Sequence, residues 1–185
     1  MANNVENVSV GQPAVTGGIW RAPAGTTLPT DAVTALDAAF VCLGFISEDG
    51  VTQNVGLSSE TERAWGGEIM NVIQTERNDN YKFKAMEISN VEVLKMVFGD
   101  SNVTGTLQTG ITIQANAKEM GNAVYVIEMI EGHGTINHRF VIPIGRISEI
   151  AETVYKSTES VGYDVTITAQ ADTSGNSHYE YKKAV

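Results

Sequence analysis

The sequence pattern that decides the fold is Val161-Gly-Tyr-Asp-Val-Thr-Ile-Thr-Ala169. Every second residue of this segment is apolar, and the residues between are glycine, aspartate or threonine. Side chains of a β-strand point alternately to opposite faces, so this period of two indicates a strand with one face on a core and the other in water. The segment is therefore predicted to be a half-buried strand of a sheet.

Strand-like composition recurs along most of the chain. The other strand candidates are Ala14–Arg21, Phe40–Ser47, Glu60–Trp65, Glu68–Arg77, Tyr81–Ala85, Thr106–Ala115, Ala123–Glu131 and Asn137–Ile147. Glu48-Asp49-Gly50 and Asn78-Asp79-Asn80 have the composition of turns, and Pro143 inside a strand indicates an edge or a bulge. About eight strands separated by turns predict an antiparallel β-sandwich or barrel.

One helix is predicted, over about residues 89–98. Ser89 and Glu92 have the spacing of a capping box, Leu94 and Phe98 fall on one face, and Gly99 can take the positive φ that ends a helix. The fold class is thus mostly β with one flanking helix. The chain has 185 residues, which is enough for one domain with a sizeable core.

The two ends read as arms around a single domain at 14–169. Residues 1–13 and 170–185 are mainly polar and lack a sustained pattern, although Tyr179-Glu-Tyr181 suits pairing with a strand edge. We expect the arms to need a partner to become ordered. Residues 47–59 are predicted to be a loop because they are polar and rich in small residues.

The segment Glu60–Arg77 predicts a projecting hairpin around Gly66-Gly67. Both of its faces mix polar and apolar residues, which is unfavourable for a strand on a core. A monomer gains little from such a hairpin or from two arms. All three are explained if the chain assembles with copies of itself.

Composition and motifs argue against catalysis, metal binding and tight binding to nucleic acid. The formal net charge is −10 with only 12 Lys and Arg residues, which disfavours tight binding to nucleic acid. No phosphate loop, nucleophile elbow or zinc motif is present. His133, His138 and Glu131 flank one turn, but two histidines near a turn are usually solvated, and Cys42 in an apolar run reads as an inert thiol. We predict no enzyme activity, no cofactor and no metal.

Several segments together carry a resemblance to a known family. They are Met1-Ala-Asn-Asn-Val-Glu-Asn, Leu43-Gly-Phe-Ile-Ser-Glu-Asp-Gly-Val51, Ala64-Trp-Gly-Gly67, Val91-Glu-Val-Leu-Lys95 and Gly162-Tyr-Asp-Val-Thr-Ile-Thr-Ala169. Over essentially its whole length the chain resembles the major tail tube proteins of bacteriophages with long, non-contractile tails.

The resemblance implies hexameric rings that stack into a tube through which DNA passes without specific binding. It also implies tape measure, terminator and initiator proteins as partners, a place in the virion tail, assembly in the host cytoplasm and no membrane insertion. Residues 51–59 and both arms would contact the adjacent ring. Glu60, Glu62 and Glu68 are the candidate bore-facing residues, and Arg63 and Arg77 either face the bore or pair with an acid.

Two other readings stay open from the sequence. The tube protein of a contractile tail or secretion device has a similar fold and requires a surrounding sheath. A carbohydrate-binding β-sandwich requires a cluster of exposed aromatic residues, whereas Trp20 and Trp65 lie on separate elements. Carboxylate pairs such as Glu60 and Glu62 are compatible with glycoside hydrolysis, but a chain with 7% aromatic residues is poorly equipped for a sugar cleft.

Overall fold

A computed structural model describes residues 3–4, 8–15 and 17–185, and one antiparallel sheet of nine strands dominates it. The strands, in chain order, are β1 (Gln12–Pro13), β2 (Ile19–Pro23), β3 (Val41–Cys42), β4 (Ile46–Arg63), β5 (Ile69–Ala85), β6 (Val103–Thr106), β7 (Gly110–Ile113), β8 (Ala123–Glu131), β9 (Ile136–Ile150), β10 (Tyr163–Gln170) and β11 (Tyr179–Ala184). β6 and β7 form a separate small hairpin. The helix α1 is Val91–Phe98.

The main path through the sheet is β3-β2-β8-β9-β10-β5-β4, with β1 on β8 and β11 on β9. β9 therefore has two partners along one edge, β11 in its first half and β10 in its second. Pro143 lies where these partners change, and the register with β8 shifts there by one residue. The proline thus occupies a bulge, where its missing N–H breaks no ladder bond.

Both faces of the middle of the sheet are covered. In β10 the apolar residues are buried and the residues between them are half-buried, as the alternating pattern predicted. The larger core lies between the sheet and α1, and the smaller core lies on the opposite face, around Phe40, Val124 and Val141. The predicted class, mostly β and antiparallel with one flanking helix, is confirmed.

The helix differs from the prediction at its start. Asn90, not Ser89, is the N-cap, and its side-chain oxygen accepts a hydrogen bond from the backbone N–H of Glu92 at 3.0 Å. Gly99 ends the helix at φ 95° and donates to the carbonyl of Lys95. No helix in the described part of the chain is long and apolar enough to cross a membrane.

Local composition was misleading at several places. Residues 47–59, predicted as a loop, lie within β4, and the predicted turn at 78–80 lies within β5. Glu48-Asp49-Gly50 forms an irregularity between Ile46 and Val51 instead of a turn. Pairing along two long strands outweighs the turn tendency of single residues, because each pair adds backbone hydrogen bonds and cross-strand contacts.

Three predicted strands have other bounds. The strand expected at 106–115 is the β6–β7 hairpin, in which Gly105 and Gly110 adopt positive φ. The strand expected at 14–21 is β2, beginning at Ile19, and the run at 40–47 divides between β3 and the start of β4. In these last two cases a glycine with positive φ stands near the break: Gly17 precedes β2, and Gly44 lies between β3 and β4.

Part of each arm pairs with the sheet of its own chain, and the expectation that the arms need another subunit to become ordered stays a prediction. Gln12–Pro13 pairs with β8, and β11 fills the free edge of β9. Tyr179 and Tyr181 also pack against the smaller core. β10 leaves the first half of β9 with an open edge, and β11 forms hydrogen bonds with the unpaired backbone groups there. Residues 1–2 and 5–7 of the N-terminal arm lie outside the described residues.

Candidate functional surfaces

The hairpin of β4 and β5 projects beyond the sheet and is longer than the predicted 60–77. Its strands pair from Ile46↔Ala85 to Arg63↔Ile69. The turn at its tip is closed by hydrogen bonds from Ala64 N to Glu68 O and from Gly67 N to Ala64 O, both 2.8 Å. Every residue of β5 from Ile69 to Asn78 is exposed. The outer part of the hairpin therefore has solvent on both faces.

The strand register sorts the charged residues of the hairpin onto opposite faces. Residues directly opposite each other in a ladder share a face, and successive residues alternate. Glu60 and Glu62 lie on one face, together with Glu76, which pairs with Ser58. We call this the acidic face. Arg63 and Arg77 lie on the other face, since Arg77 pairs with Leu57 and both Leu57 and Arg63 alternate with the glutamates.

The acidic face continues into a polar surface four strands wide. β4, β5, β10 and β9 are consecutive neighbours, and the register places Thr168 beside both Asn80 and Arg146, and Thr166 beside Lys82. The Thr168 hydroxyl lies 2.7 Å from Asn80 Oδ1 and 2.8 Å from Ser148 Oγ. The reverse side of these strands packs on the larger core. We call the whole surface the polar wall.

Charge along the polar wall is uneven. Near the core, Lys82 pairs with Asp164 at 3.3 Å and Arg146 pairs with Glu119 at 2.5 Å. Farther out, the acidic face carries three glutamates and no lysine or arginine. The projecting part of the wall is therefore the region where acid is not balanced by a nearby base.

Ile73 pairs with Glu60 on the acidic face, but the opposite face carries both arginines and the other paired, exposed apolar side chains. It carries exposed apolar side chains at Val55, Leu57, Ile69 and Val72. Arg77 Nε lies 3.3 Å from Asp79 Oδ1, so this arginine is paired with an acid on its own face. Arg63 Nη1 donates to the carbonyl of Gly67 at 2.9 Å and forms no ion pair with a described residue. Sequence alone had left open which way the two arginines point.

Glu68 lies in the turn, outside both paired strands. The ladder therefore does not assign it to a face. Glu76 takes the third position on the acidic face instead. The sequence carried a signal for it, since Asn78, Asn80 and Lys82 continue the same alternation toward the core.

A buried carboxylate fixes the root of the hairpin. The side chain of Asp79 is fully buried and accepts hydrogen bonds from the Ser177 hydroxyl and from Arg77 Nε, while His178 Nδ1 lies at 3.3 Å. Burial raises the pKa of Asp79, but the hydrogen bond from Ser177 and the charge of Arg77 outweigh burial and hold the pKa below its usual value. The C-terminal arm thus contacts the hairpin where it leaves the core.

His138 is not free to join the metal pair considered from the sequence. His138 is buried, with Nδ1 2.6 Å from Glu131 Oε1 and Nε2 2.7 Å from Glu180 Oε1. Both ring nitrogens are occupied, so neither is available to a metal ion. The side chain of His133 lies outside the described part of the structure, and no cluster of three or more metal-ligating side chains occurs among the described residues. Cys42 is a half-buried free thiol.

These features define a class of protein: a β subunit with an exposed two-faced hairpin and a one-sided polar wall, which suits assembly more than catalysis. A family profile described as "Phage tail tube protein" matches residues 1–182. The chain belongs to the phage tail tube protein family, and it is a structural subunit of a phage tail tube. The resemblance found from the sequence is confirmed at this level, and the restriction to non-contractile tails stays a prediction.

Two solved structures resemble the chain weakly. A chain of "an Extracellular Contractile Injection System, PVC sheath-tube complex in extended state" has a TM-score of 0.48 at 10% identity, covering 94% of this chain and 93% of that chain. A chain of the "anti-feeding prophage cap (AFP tube terminating cap)" has a TM-score of 0.48 at 10% identity, covering 100% of both chains. No curated protein matches the sequence. Assignment to the family therefore depends on the family profile.

Proposed function

We propose that copies of this chain close into hexameric rings that stack as the wall of a tail tube, with the polar wall turned toward the bore. The observation that carries the proposal is the register of the β4–β5 hairpin, which collects Glu60, Glu62 and Glu76 on the face continuous with the polar side of β10 and β9. The apolar face of the same hairpin then faces neighbouring subunits. The role is structural and non-enzymatic.

The acidic face would keep DNA from sticking to the wall of the bore. DNA carries a dense line of phosphates, and lysine or arginine contacts to them release counterions and produce binding. A surface of like charge repels the backbone and leaves the DNA free to slide. Arg63 and Arg77 do not oppose this function because the register puts them on the other face.

Other parts of the proposed assembly follow from the family. The subunit is synthesised and assembled in the host cytoplasm, and its tube contacts a tape measure protein inside and initiator and terminator proteins at its ends. Strand β4, which includes the segment 51–59 once expected to be a loop, and the ends of the chain supply the contacts between rings.

A charge-reversal experiment tests the orientation of the wall. Phage carrying Glu60→Lys and Glu62→Lys should assemble tubes of normal length but deliver DNA at least about tenfold less often, since two lysines per subunit add phosphate contacts along the whole bore. Electron microscopy measures assembly, and entry of labelled genome into cells measures delivery. The matched control is Glu152→Lys with Glu159→Lys, which makes the same change in charge at two exposed residues off the hairpin.

The control should deliver DNA at the wild-type rate. Normal delivery by the Glu60 and Glu62 variant in particles with intact tubes would show that the acidic face does not line the bore. A purified chain that stays monomeric at all concentrations and salt conditions, with neither rings nor tubes in negative stain, would contradict the proposal of a self-assembling wall.

A further inference from the structure

The most exposed large apolar side chain on the hairpin is Trp65, at its tip. Its relative exposure is 106%, so it contacts essentially nothing in its own chain. It stands in the turn between Ala64 and Gly66, where the backbone is closed by two hydrogen bonds. A tryptophan buries roughly 150–250 Å² when it docks, so an exposed one offers a large apolar area to a partner.

An apolar pocket of about 680 Å³ lies at the other end of the same hairpin. Ile19 and Ile127 are buried residues lining it, and Phe45, Ile46 and Val51 line it where β4 begins. Pockets of this size enclose small organic ligands, so the space accommodates an indole ring. We call it the base pocket.

The base pocket carries carboxylates, and the hairpin tip carries one arginine among acidic residues. Glu48, Asp49 and Glu87 line the base pocket, and none of them forms an ion pair with a described residue, while no lysine or arginine lines it. Arg63, next to the tip, is the arginine of the described chain without an ion pair; the other four pair with Asp100, Asp79, Glu128 and Glu119. Glu68 is the one acid in the turn. Arg63 therefore offers the base pocket a cation that the pocket lacks, although Glu62 and Glu68 lie near Arg63 in the sequence.

Trp65 can reach a base pocket only on another copy. From Val51 to Arg63 the strand β4 extends about 40 Å, at roughly 3.3 Å per residue, so Trp65 is far from the base pocket of its own chain. Tip and pocket are also different surfaces, and head-to-tail contacts between different surfaces build either closed rings or open repeats. We infer that Trp65 of one subunit inserts into the base pocket of a subunit in the next ring, with Arg63 facing the carboxylates of that pocket. This inference rests on the proposed function, and it names the contact that joins successive rings.

Photo-crosslinking in assembled tubes tests the contact directly. Benzoylphenylalanine at position 65, in tubes assembled from equal amounts of light and heavy isotope-labelled chains, should crosslink to peptides that contain 42–51 or 127–129 of the other label. The matched control is benzoylphenylalanine at Leu107, an exposed residue on the turn of the β6–β7 hairpin. Crosslinks from position 65 that fall on another surface, or within one chain only, would overturn the inference.

Substitutions test the energetic part. Trp65→Ala should raise the protein concentration needed for tube assembly at least about tenfold, and Leu107→Ala should change it less than about twofold. Arg63→Glu should also weaken assembly, and adding Glu48→Arg should restore it because the swap returns opposite charges to the contact. Equal assembly by the Trp65 and Leu107 variants would refute the docking of the ring, and absence of rescue would refute the pairing of the charges.

The two proposals fail in different ways. If wild-type chains form tubes but position 65 crosslinks elsewhere, the contact between rings is wrong and the tube wall stands. If wild-type chains form neither rings nor tubes, both proposals fail together.

Discussion

Replacing Asp79 by asparagine should destabilise the root of the hairpin, and the loss of stability measures what the negative charge of Asp79 contributes. Asparagine keeps the size of the side chain and an acceptor for Ser177, but it removes the negative charge beside Arg77 and His178. Hydrogen bonds to a charged group contribute about 1.5–3 kcal/mol each. The Arg77 side chain is 52% exposed, so its attraction to Asp79 is screened and adds less than about 1 kcal/mol.

We therefore expect Asp79→Asn to lower the free energy of unfolding by about 2 kcal/mol at pH 7. For a chain of this size, this corresponds to a fall in Tm of about 4–8 °C. The assay is urea and thermal unfolding of the unassembled chain followed by circular dichroism. Glu159→Gln is the control, because its 3.0 Å pair with Lys156 is largely exposed and should matter by less than about 0.5 kcal/mol.

The pH dependence gives the decisive result. The pKa of Asp79 is lower in the folded chain than its ordinary value of 3.8. A lowered folded pKa means that the charge stabilises the fold above pH 3.8 and that this contribution is lost as the pH falls through the folded pKa. The difference between Asp79→Asn and wild type should be full at pH 7 and shrink below about pH 4. A difference that stays constant or grows in acid would refute the assigned role of the charge.

Two further predictions concern the core and the helix. Ile167→Ala removes a fully buried side chain from β10 and should cost about 2–5 kcal/mol in chemical denaturation; a cost under about 1 kcal/mol would contradict the burial of this strand. Asn90→Ala should cost about 1 kcal/mol in the same assay because it removes the N-cap of α1, whereas Ser89→Ala should have almost no effect. A larger effect at Ser89 than at Asn90 would restore the capping box expected from the sequence.

The fold was most predictable where a single strand carried its own pattern. The alternation from Tyr163 to Ala169 and the apolar run Ala123–Glu131 both gave strands close to the observed bounds, because burial of one or both faces follows directly from composition. The bulge at Pro143 was also predictable from the sequence, since a proline inside a sheet is confined to edge strands and bulges. Local physical chemistry determined these elements.

Prediction was weakest where pairing between distant segments decides the structure. Asn78-Asp79-Asn80 has turn composition, yet these residues form strand because 54–56 pair with them and Ser177 satisfies the Asp79 carboxylate from the far end of the chain. The faces of Glu60 and Arg63 could not be assigned either, because a face is defined by what the strand root packs against. That information lies in the burial of Tyr81 and Phe83, beyond the segment itself.

The hairpin explains why the sequence of a tube wall looks unfavourable for a monomer. Between Asp79 and the tip, β4 and β5 pair only with each other among the described strands. Two-stranded ribbons of this kind are only marginally stable in water. The ribbon nevertheless exposes Leu57, Ile69 and Val72 on one face and concentrates glutamates on the other. Neighbouring copies that cover the apolar face would stabilise the ribbon and at the same time leave the acidic face as the open surface. The same contact that orders the hairpin would therefore orient its charge, so that stability of the wall and repulsion of DNA depend on one strand register.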